Sequence, residues 1–569
     1  MSGEGPTARF GPATEAVAEA LDRAQANDVA RRLWAADLSL WTQNPLVQNQ
    51  IADSLGWLRV AEAMRAGVDD LTAWSAEIAE QVDDVVLLGM GGSSLAPEVM
   101  ASVIPQAQGS PQLTVLDTTD PAAIRRVESG LDLTRSLFIV ASKSGGTLET
   151  ATLAEYFWSR YAAAGAQSPG RHFVAITDPG TSLASLAQDH AYARVFLNPP
   201  DIGGRYSALS FFGLVPAALA GIDLEPLLAR AIAAGQASAA NASVNTNPPV
   251  TIGVALGTLA GAGRDKLTLV PSASLQPVGA WVEQLVAEST GKEGQGIVPV
   301  DGEPLGDPGV YDNDRVFMEL ALAGDPDDGR TTCLDALAGA GHPVITLPLD
   351  DPHDLGAHFL TWELATAVAG SLLDINPFDQ PSVAESKDNT DRVLGQITAS
   401  GAPFEVPAGP GANGVLAAGS QAADLTAALS GWLSSVRPGD YISIQAYLDR
   451  TPAHDAGLRT IQALLRDALH RAVTLGYGPR FLHSTGQLHK GGPDTGVFLQ
   501  ITADHQVDVE VPGRGYSFGT LIDAQAIGDL ESLAARERRR LRLHLTDSST
   551  DLETVASALR TALNQISPA

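Results

Sequence analysis

Two rhythms of apolar residues divide this chain. Over the first eighty residues apolar positions recur every three or four, as in AVAEALDRAQANDVARRLW, IADSLGWLRVAEAM and LTAWSAEIAEQV. That spacing predicts amphipathic helices. From residue 81 short, unbroken apolar runs take over. VVLLGMG (85–91), QLTVLD (112–117), SLFIVAS (136–142) and HFVAITD (172–178) read as buried strands, with helical pattern between them, including TLETATLAEYFWSRYAA (147–163). Strands alternating with crossover helices predict a parallel sheet covered on both faces. The rhythm returns from about 245 to 390, with strands KLTLVPS (266–272) and PVITLPL (343–349) and helices SLQPVGAWVEQLVAEST (274–290) and HFLTWELATAVAGSLL (358–373). A third portion follows from about 391 to 569. It holds strands in YISIQAYLD (441–449) and TGVFLQIT (495–502), a helix over 455–472, and ESLAARERRRLRLHL (531–545), which mixes a charged helix with a strand. The expected class is α/β: a helical segment over 1–80, then units over 81–244, 245–390 and 391–569. The length of 569 residues suits two or three domains.

Charge narrows the partners. The chain carries 66 acidic against 36 basic residues, a formal −30. Such a field repels nucleic acid and anionic membranes. It also repels phosphorylated metabolites, so a phosphate site here needs its own cations and backbone donors. Cys333 is the only cysteine, which excludes an intrachain disulfide and fits a reducing, cytoplasmic setting. The N-terminal MSGEGPTARF lacks the apolar core of a signal peptide, and no apolar run has the length of a membrane span.

Two turns carry the candidate chemistry. SKSGGT (142–147) lies between a strand and a helix. Its hydroxyls, its exposed amides and the first turn of the following helix suit a phosphate. Lys143 can add charge, and Gly145 and Gly146 let the backbone curl close to the ligand. GMGGSS (89–94) also follows a buried strand. It is neither a dinucleotide fingerprint nor a P-loop. Two such turns at strand ends predict one crevice at the carboxyl edge of a sheet.

Five ordered segments resemble the glucose-6-phosphate isomerase family, which is built from paired sugar-isomerase (SIS) domains. They are GMGGSSLAP, SKSGGTLET, GGRYSALS (203–210), AESTGK (287–292) and INPFDQPSVAESK (375–387). The resemblance implies two SIS-type parallel-sheet sandwich domains followed by an additional C-terminal α/β portion. It implies reversible interconversion of glucose 6-phosphate and fructose 6-phosphate through an enediol, a place in glycolysis and gluconeogenesis, and a homodimer. No cofactor is expected, and no metal, because His483 and His489 are six apart without an HExxH pattern and proton transfer needs only a base and cationic stabilisers. GPRFLHSTGQLHKGGPDTG (478–496) looks like the isomerase part of a subgroup in which the isomerase can be fused to a transaldolase. A transaldolase barrel needs roughly 250 residues. The segment before residue 80 has no room for one, so a stand-alone isomerase is expected.

The resemblance also assigns roles. Glu288 matches the base that moves a proton between C2 and C1, with Glu283 and Glu293 outside the matching slot. Arg205 matches the cation that stabilises the enediolate and orients substrate. Lys387 matches the ring-opening contact. Gly92, Ser93, Ser142, Lys143, Ser144, Thr147 and Gln380 fall to substrate and phosphate. The family's ring-opening histidine is not evident. His342, His353 and His358 lie in the right interval without its glycine-rich context. FLHSTGQLHKGG offers His489 first and His483 as the alternative. Thr290, beside the glutamate, leaves a broader glucose/mannose phosphate specificity open. A noncatalytic sugar-phosphate sensor is the other class that these turns allow.

Overall fold

The computed structural model describes residues 6–165, 167–241, 243–400 and 406–565. These residues form three sheets. The first is wholly parallel, in the spatial order Gln112–Leu116, Asp84–Gly89, Ser136–Ala141, Phe173–Thr177, Arg194–Leu197. The second runs Thr7–Arg9, Val344–Leu349, Arg315–Leu322, Lys266–Pro271, Val298–Val300, and only Thr7–Arg9 is antiparallel to its neighbour. The third has four parallel strands, Arg539–Leu545, Gly496–Ala503, Tyr441–Tyr447 and Ala472–Tyr477. A small antiparallel ribbon, Gly411–Ala412 and Val415–Ala417, edges it.

The apolar runs form strands because both faces of each sheet are covered. In the first sheet Val85, Leu87, Leu137 and Ile139 join a large core with Leu95 and Met100 and the N-terminal helices. Val86, Leu88, Phe138 and Val140 face a second core with Leu153 and Phe157. That second core also takes in Val393, Leu394, Phe518 and Leu521, so helices Val383–Ser400 and Phe518–Ala535 pack onto the first unit. The third sheet keeps a core of its own, including Ile442, Leu499 and Leu543. Thr7–Arg9 stitches the N-terminal segment into the second sheet. Helix Val383–Ser400 runs across the boundary expected at 390.

Several strands escaped the sequence pattern. Arg315–Leu322 is central in the second sheet, yet RVFMELAL carries two charges and reads as easily as helix. Its Arg315 is fully buried against Glu303 at 2.9 Å, and Glu319 pairs with Arg330 at 2.9 Å. Tertiary pairing makes these charges tolerable inside. The expected helix over 455–472 ends earlier, at Leu469, where His470 adopts φ 56° and turns the chain into strand Ala472–Tyr477. Among the described residues no helix is long and apolar enough to cross a membrane.

Candidate active site

The strand order of the first sheet puts Asp84–Gly89 beside Ser136–Ala141. Their following helices lie on opposite faces: Leu95–Val103 joins one core and Leu148–Ala163 the other. This is a switch point, where a crevice opens at the strands' carboxyl ends. Both glycine–serine turns therefore sit on its rim. The first turn has no room for side chains. Gly91 has φ +54°, and a Cβ there would lie 2.6 Å from the His483 carbonyl oxygen and 2.7 Å from Gln284 Nε2. A Cβ on Gly92 would lie 2.1 Å from the Gly204 carbonyl oxygen. Glycine thus lets three distant segments close on one point: the Arg205 turn, the Glu288 helix and the His483 loop.

Arg205 is 1% exposed in its side chain and held on every side. Its Nε donates to Ser289 Oγ at 2.7 Å and its Nη1 to Gln380 Oε1 at 2.9 Å. Its Nη2 donates to the carbonyls of Pro377 (2.7 Å) and Asp379 (3.0 Å). Glu288 Oε1 lies 3.4 Å from Nη1, and Gln284 Nε2 donates to Glu288 Oε2 at 3.2 Å. Helix Val278–Thr290 carries Glu288 in its last turn and stops at Gly291, where a Cβ would strike Leu488 Cα at 2.4 Å. The guanidinium is thus fixed before any ligand arrives, the condition for stabilising developing charge without reorganisation.

Across the crevice, Ser142 Oγ and Thr147 Oγ1 are 2.9 Å apart, and Gly146 N donates to Ser144 Oγ at 3.3 Å. Gly145 takes φ +69° and packs on Thr181 and Leu183. Lys387 Nζ reaches over this loop to the Gly146 carbonyl at 3.0 Å. Lys143 turns the other way, to Asp178 and the Pro200 carbonyl. A cavity of about 190 Å³ is bounded by Ser144, Gly146, Thr147, Lys387, His483 and Glu149, among others.

His483 Nε2 lies 3.0 Å from Glu149 Oε1, which also accepts from Gln525 Nε2 at 2.7 Å. Burial opposes the imidazolium, but the charge and hydrogen bond of Glu149 outweigh it and raise the His483 pKa. Burial likewise opposes the Glu149 carboxylate, and His483 outweighs it, so Glu149 is lowered. The sign for stability follows from linkage. The His483 contribution is full below its ordinary 6.5 and is lost as pH rises through the raised value. The Glu149 contribution is full above its ordinary 4.5 and is lost as pH falls through the lowered value. The stability gap between wild type and Glu149→Gln, measured by denaturant melts, is therefore expected to be widest near about pH 5.5 and to narrow on both sides. A gap that is flat from about pH 3 to about pH 9 would contradict the pairing.

His489, the first choice from sequence, is not at this site. Its ring packs with Tyr441, Phe481 and Phe498, and its nitrogens face Ser443 Oγ (3.4 Å) and Gln445 Nε2 (3.3 Å). Burial, then Lys490 and Arg538, push its pKa well below the usual value and keep it neutral. Of the other histidines, His342 packs on Tyr311 and Phe317, His353 bonds Asp351, and His358 faces the Pro348 carbonyl. Glu283 is buried and pushed up to about 8, first by burial and then by Asp301, while Arg459 and Arg480 draw it the other way. It is mostly protonated at neutral pH, which makes it a poor base. Thr290 spends its hydroxyl on the backbone, donating to Val286 O and accepting from Ile297 N. Ser93 is buried beside Gly92, and Gln380 bonds Arg205.

Sequence reasoning passed over Glu149, Gln284, Ser289, Asp379, Arg480 and Gln525. Arg480 joins the His483 loop to the first unit through Glu98 and through Asp117 at 3.2 Å. Glu149 had no local signal, because an acid in a helix's first turn is the ordinary solvated arrangement.

The chain is similar in sequence and fold to known proteins. Residues 48–301 match the family model described as phosphoglucose isomerase. A glucose-6-phosphate isomerase of Rubrobacter xylanophilus is 30% identical over 380 residues, covering 57% of this chain and 86% of the relative. One from Thermosynechococcus vestitus is 29% identical over 427 residues, 67% of this chain and 79% of the relative. A hypothetical protein of Thermus thermophilus superposes with a TM-score of 0.59 at 26% identity, covering 68% of this chain and 99% of that one. A glucose-6-phosphate isomerase structure from Chlamydia trachomatis shares the fold, with a TM-score of 0.53 at 20% identity over 61% of this chain and 79% of that one. The matched stretch holds both glycine–serine turns, Arg205 and Glu288, and the chain belongs to the phosphoglucose isomerase family.

Proposed function

We propose that this chain interconverts glucose 6-phosphate and fructose 6-phosphate. The observation that carries the reading is the Glu288 carboxylate set 3.4 Å from a buried Arg205 and joined through Gln284 to the His483 loop, whose histidine borders the cavity at SKSGGT. The relatives named glucose-6-phosphate isomerase support glucose 6-phosphate as one of the two sugars. Phosphate is assigned to Ser142, Ser144, Thr147 and the amides that open helix Leu148–Ala163. Lys387 and His483 stand beside them and are assigned to ring opening, with His483 giving a proton to the ring oxygen. In the open sugar Glu288 takes the C2 proton and returns it at C1. Arg205 carries the negative charge that develops on the enediolate oxygens. Gly92 and Ser93 are assigned to the sugar side, and Gln380 is assigned to act through Arg205. Lys143 is assigned to holding the loop rather than to the phosphate. The first two units are read as SIS-type domains, within a homodimer of the subgroup related to the transaldolase fusions.

A coupled assay of the purified chain tests the reading. Turnover of both sugars is expected in both directions, with C2 hydrogen exchanging into solvent. Mannose 6-phosphate in the same assay decides the breadth of specificity. Tight binding without C2 exchange would instead identify a sensor.

A further inference from the structure

Lys292 is one of only five lysines, and no role above uses it. It lies just beyond the helix that carries Glu288, with its side chain 2% exposed. Its ammonium donates to Asp379 twice, to the carbonyl oxygen and to the carboxylate, the latter at 2.8 Å. The same carbonyl accepts from Arg205 Nη2 at 3.0 Å, and the next residue, Gln380, accepts from Arg205 Nη1. Two cations therefore share one peptide oxygen, and the Asp379 carboxylate offsets their repulsion. A second strut spans the same gap. Gln487, fully buried, donates to the Gly291 carbonyl at 3.0 Å and accepts from Ser382 N at 2.8 Å. Burying an ammonium is costly, and an apolar side chain closes a gap at lower cost. A cation has a specific use where a carbonyl must be held in place while a guanidinium bonds it.

We infer that Lys292 is a positioning residue: its ammonium fixes the Asp379–Gln380 backbone, which in turn fixes Arg205 against Glu288. The inference rests on the isomerase reading. It also connects the FLHSTGQLHKGG segment to the site, because Gln487 braces the same two chain segments. The charged groups facing Lys292 are Arg205, Asp379 and Glu288. Burial and then Arg205 push its pKa down to about 8, against the pull of Asp379 and Glu288. Lys292 is therefore charged at neutral pH and loses its grip on Asp379 as pH rises through that value.

The test measures kcat and KM from about pH 6 to about pH 10 for wild type, Lys292→Arg and Lys292→Met. The lysine 13Cε signals of wild type are followed over the same range, and the signal missing in Lys292→Arg identifies Lys292. Wild type is expected to lose kcat with a midpoint near 8 that tracks the Lys292 signal. Lys292→Met is expected to lose about 100-fold in kcat at neutral pH, the scale of a displaced catalytic group, with little change in KM. Lys292→Arg should restore part of that loss and move the alkaline decline upward, because guanidinium stays charged. An active wild type whose decline is unmoved in Lys292→Arg, or whose Lys292 signal does not titrate with kcat, overturns the inference even if Lys292→Met misfolds. An inactive wild type is a different result and overturns the isomerase reading itself.

Discussion

Glu288→Gln is expected to lose isomerisation by at least about 100-fold, the usual scale for a positioned acid–base group. That factor corresponds to about 2.7 kcal/mol of barrier. The structure explains why the loss should be chemical rather than structural. Glutamine keeps the length of the side chain and an oxygen to face Arg205 Nη1. The other Arg205 partners, at Ser289, Gln380, Pro377 and Asp379, are untouched. The amide nitrogen stands where Oε2 was, so Gln284 loses that acceptor and keeps its bond to the His483 carbonyl. What disappears is the group that accepts the C2 proton. Sugar-phosphate binding should persist, and the melting temperature should stay close to wild type. Near-normal turnover in a folded Glu288→Gln chain would remove Glu288 as the base. Glu283 is no ready substitute, since it is pushed up to about 8 and faces Asp301.

The second large effect is expected at His483. Ring opening needs a proton delivered to the ring oxygen, whereas exchange at C2 of an already open sugar needs only the later base step. His483→Gln should therefore lower turnover of cyclic glucose 6-phosphate by about 100-fold and leave exchange on an open-chain analogue largely intact. Glutamine is preferred to alanine because its amide can still donate to Glu149. Alanine would strip a partner from a buried carboxylate, which typically costs about 3–5 kcal/mol and would confuse folding with catalysis. His489→Gln is the contrast. Its ring lies among Tyr441, Phe481 and Phe498, so its removal should lower thermal stability more than cyclic turnover. Equal loss of both reactions in His483→Gln would point to a collapsed site. Wild-type rates on the cyclic sugar would move ring opening to Lys387.

Much of the molecule was legible in the linear pattern. Strand runs such as VVLL and LFIVA are apolar at every position because both faces of the sheet are covered, and that signal needs no tertiary knowledge. The glycine–serine turns were legible for a local reason too, because a backbone that must bend at a strand end selects small residues. Arg205 and Glu288 were found by the order of motifs, and the structure brings them within 3.4 Å.

What the sequence by itself determined is whatever depends on neighbours along the chain: the α/β class, most strands of the three sheets, the two turns and the acidic field. What only the tertiary structure decided is whatever depends on partners far away. RVFMELAL became a central strand because Glu303 and Arg330 receive its charges. His483 and His489 are six residues apart in one polar segment, and nothing local separates them. The fold turns one toward Glu149, which raises it, and seals the other among aromatic rings, which keeps it neutral. Periodicity is a property of the chain, but the charge state of a buried group belongs to its surroundings, and those are assembled only when distant segments close around it.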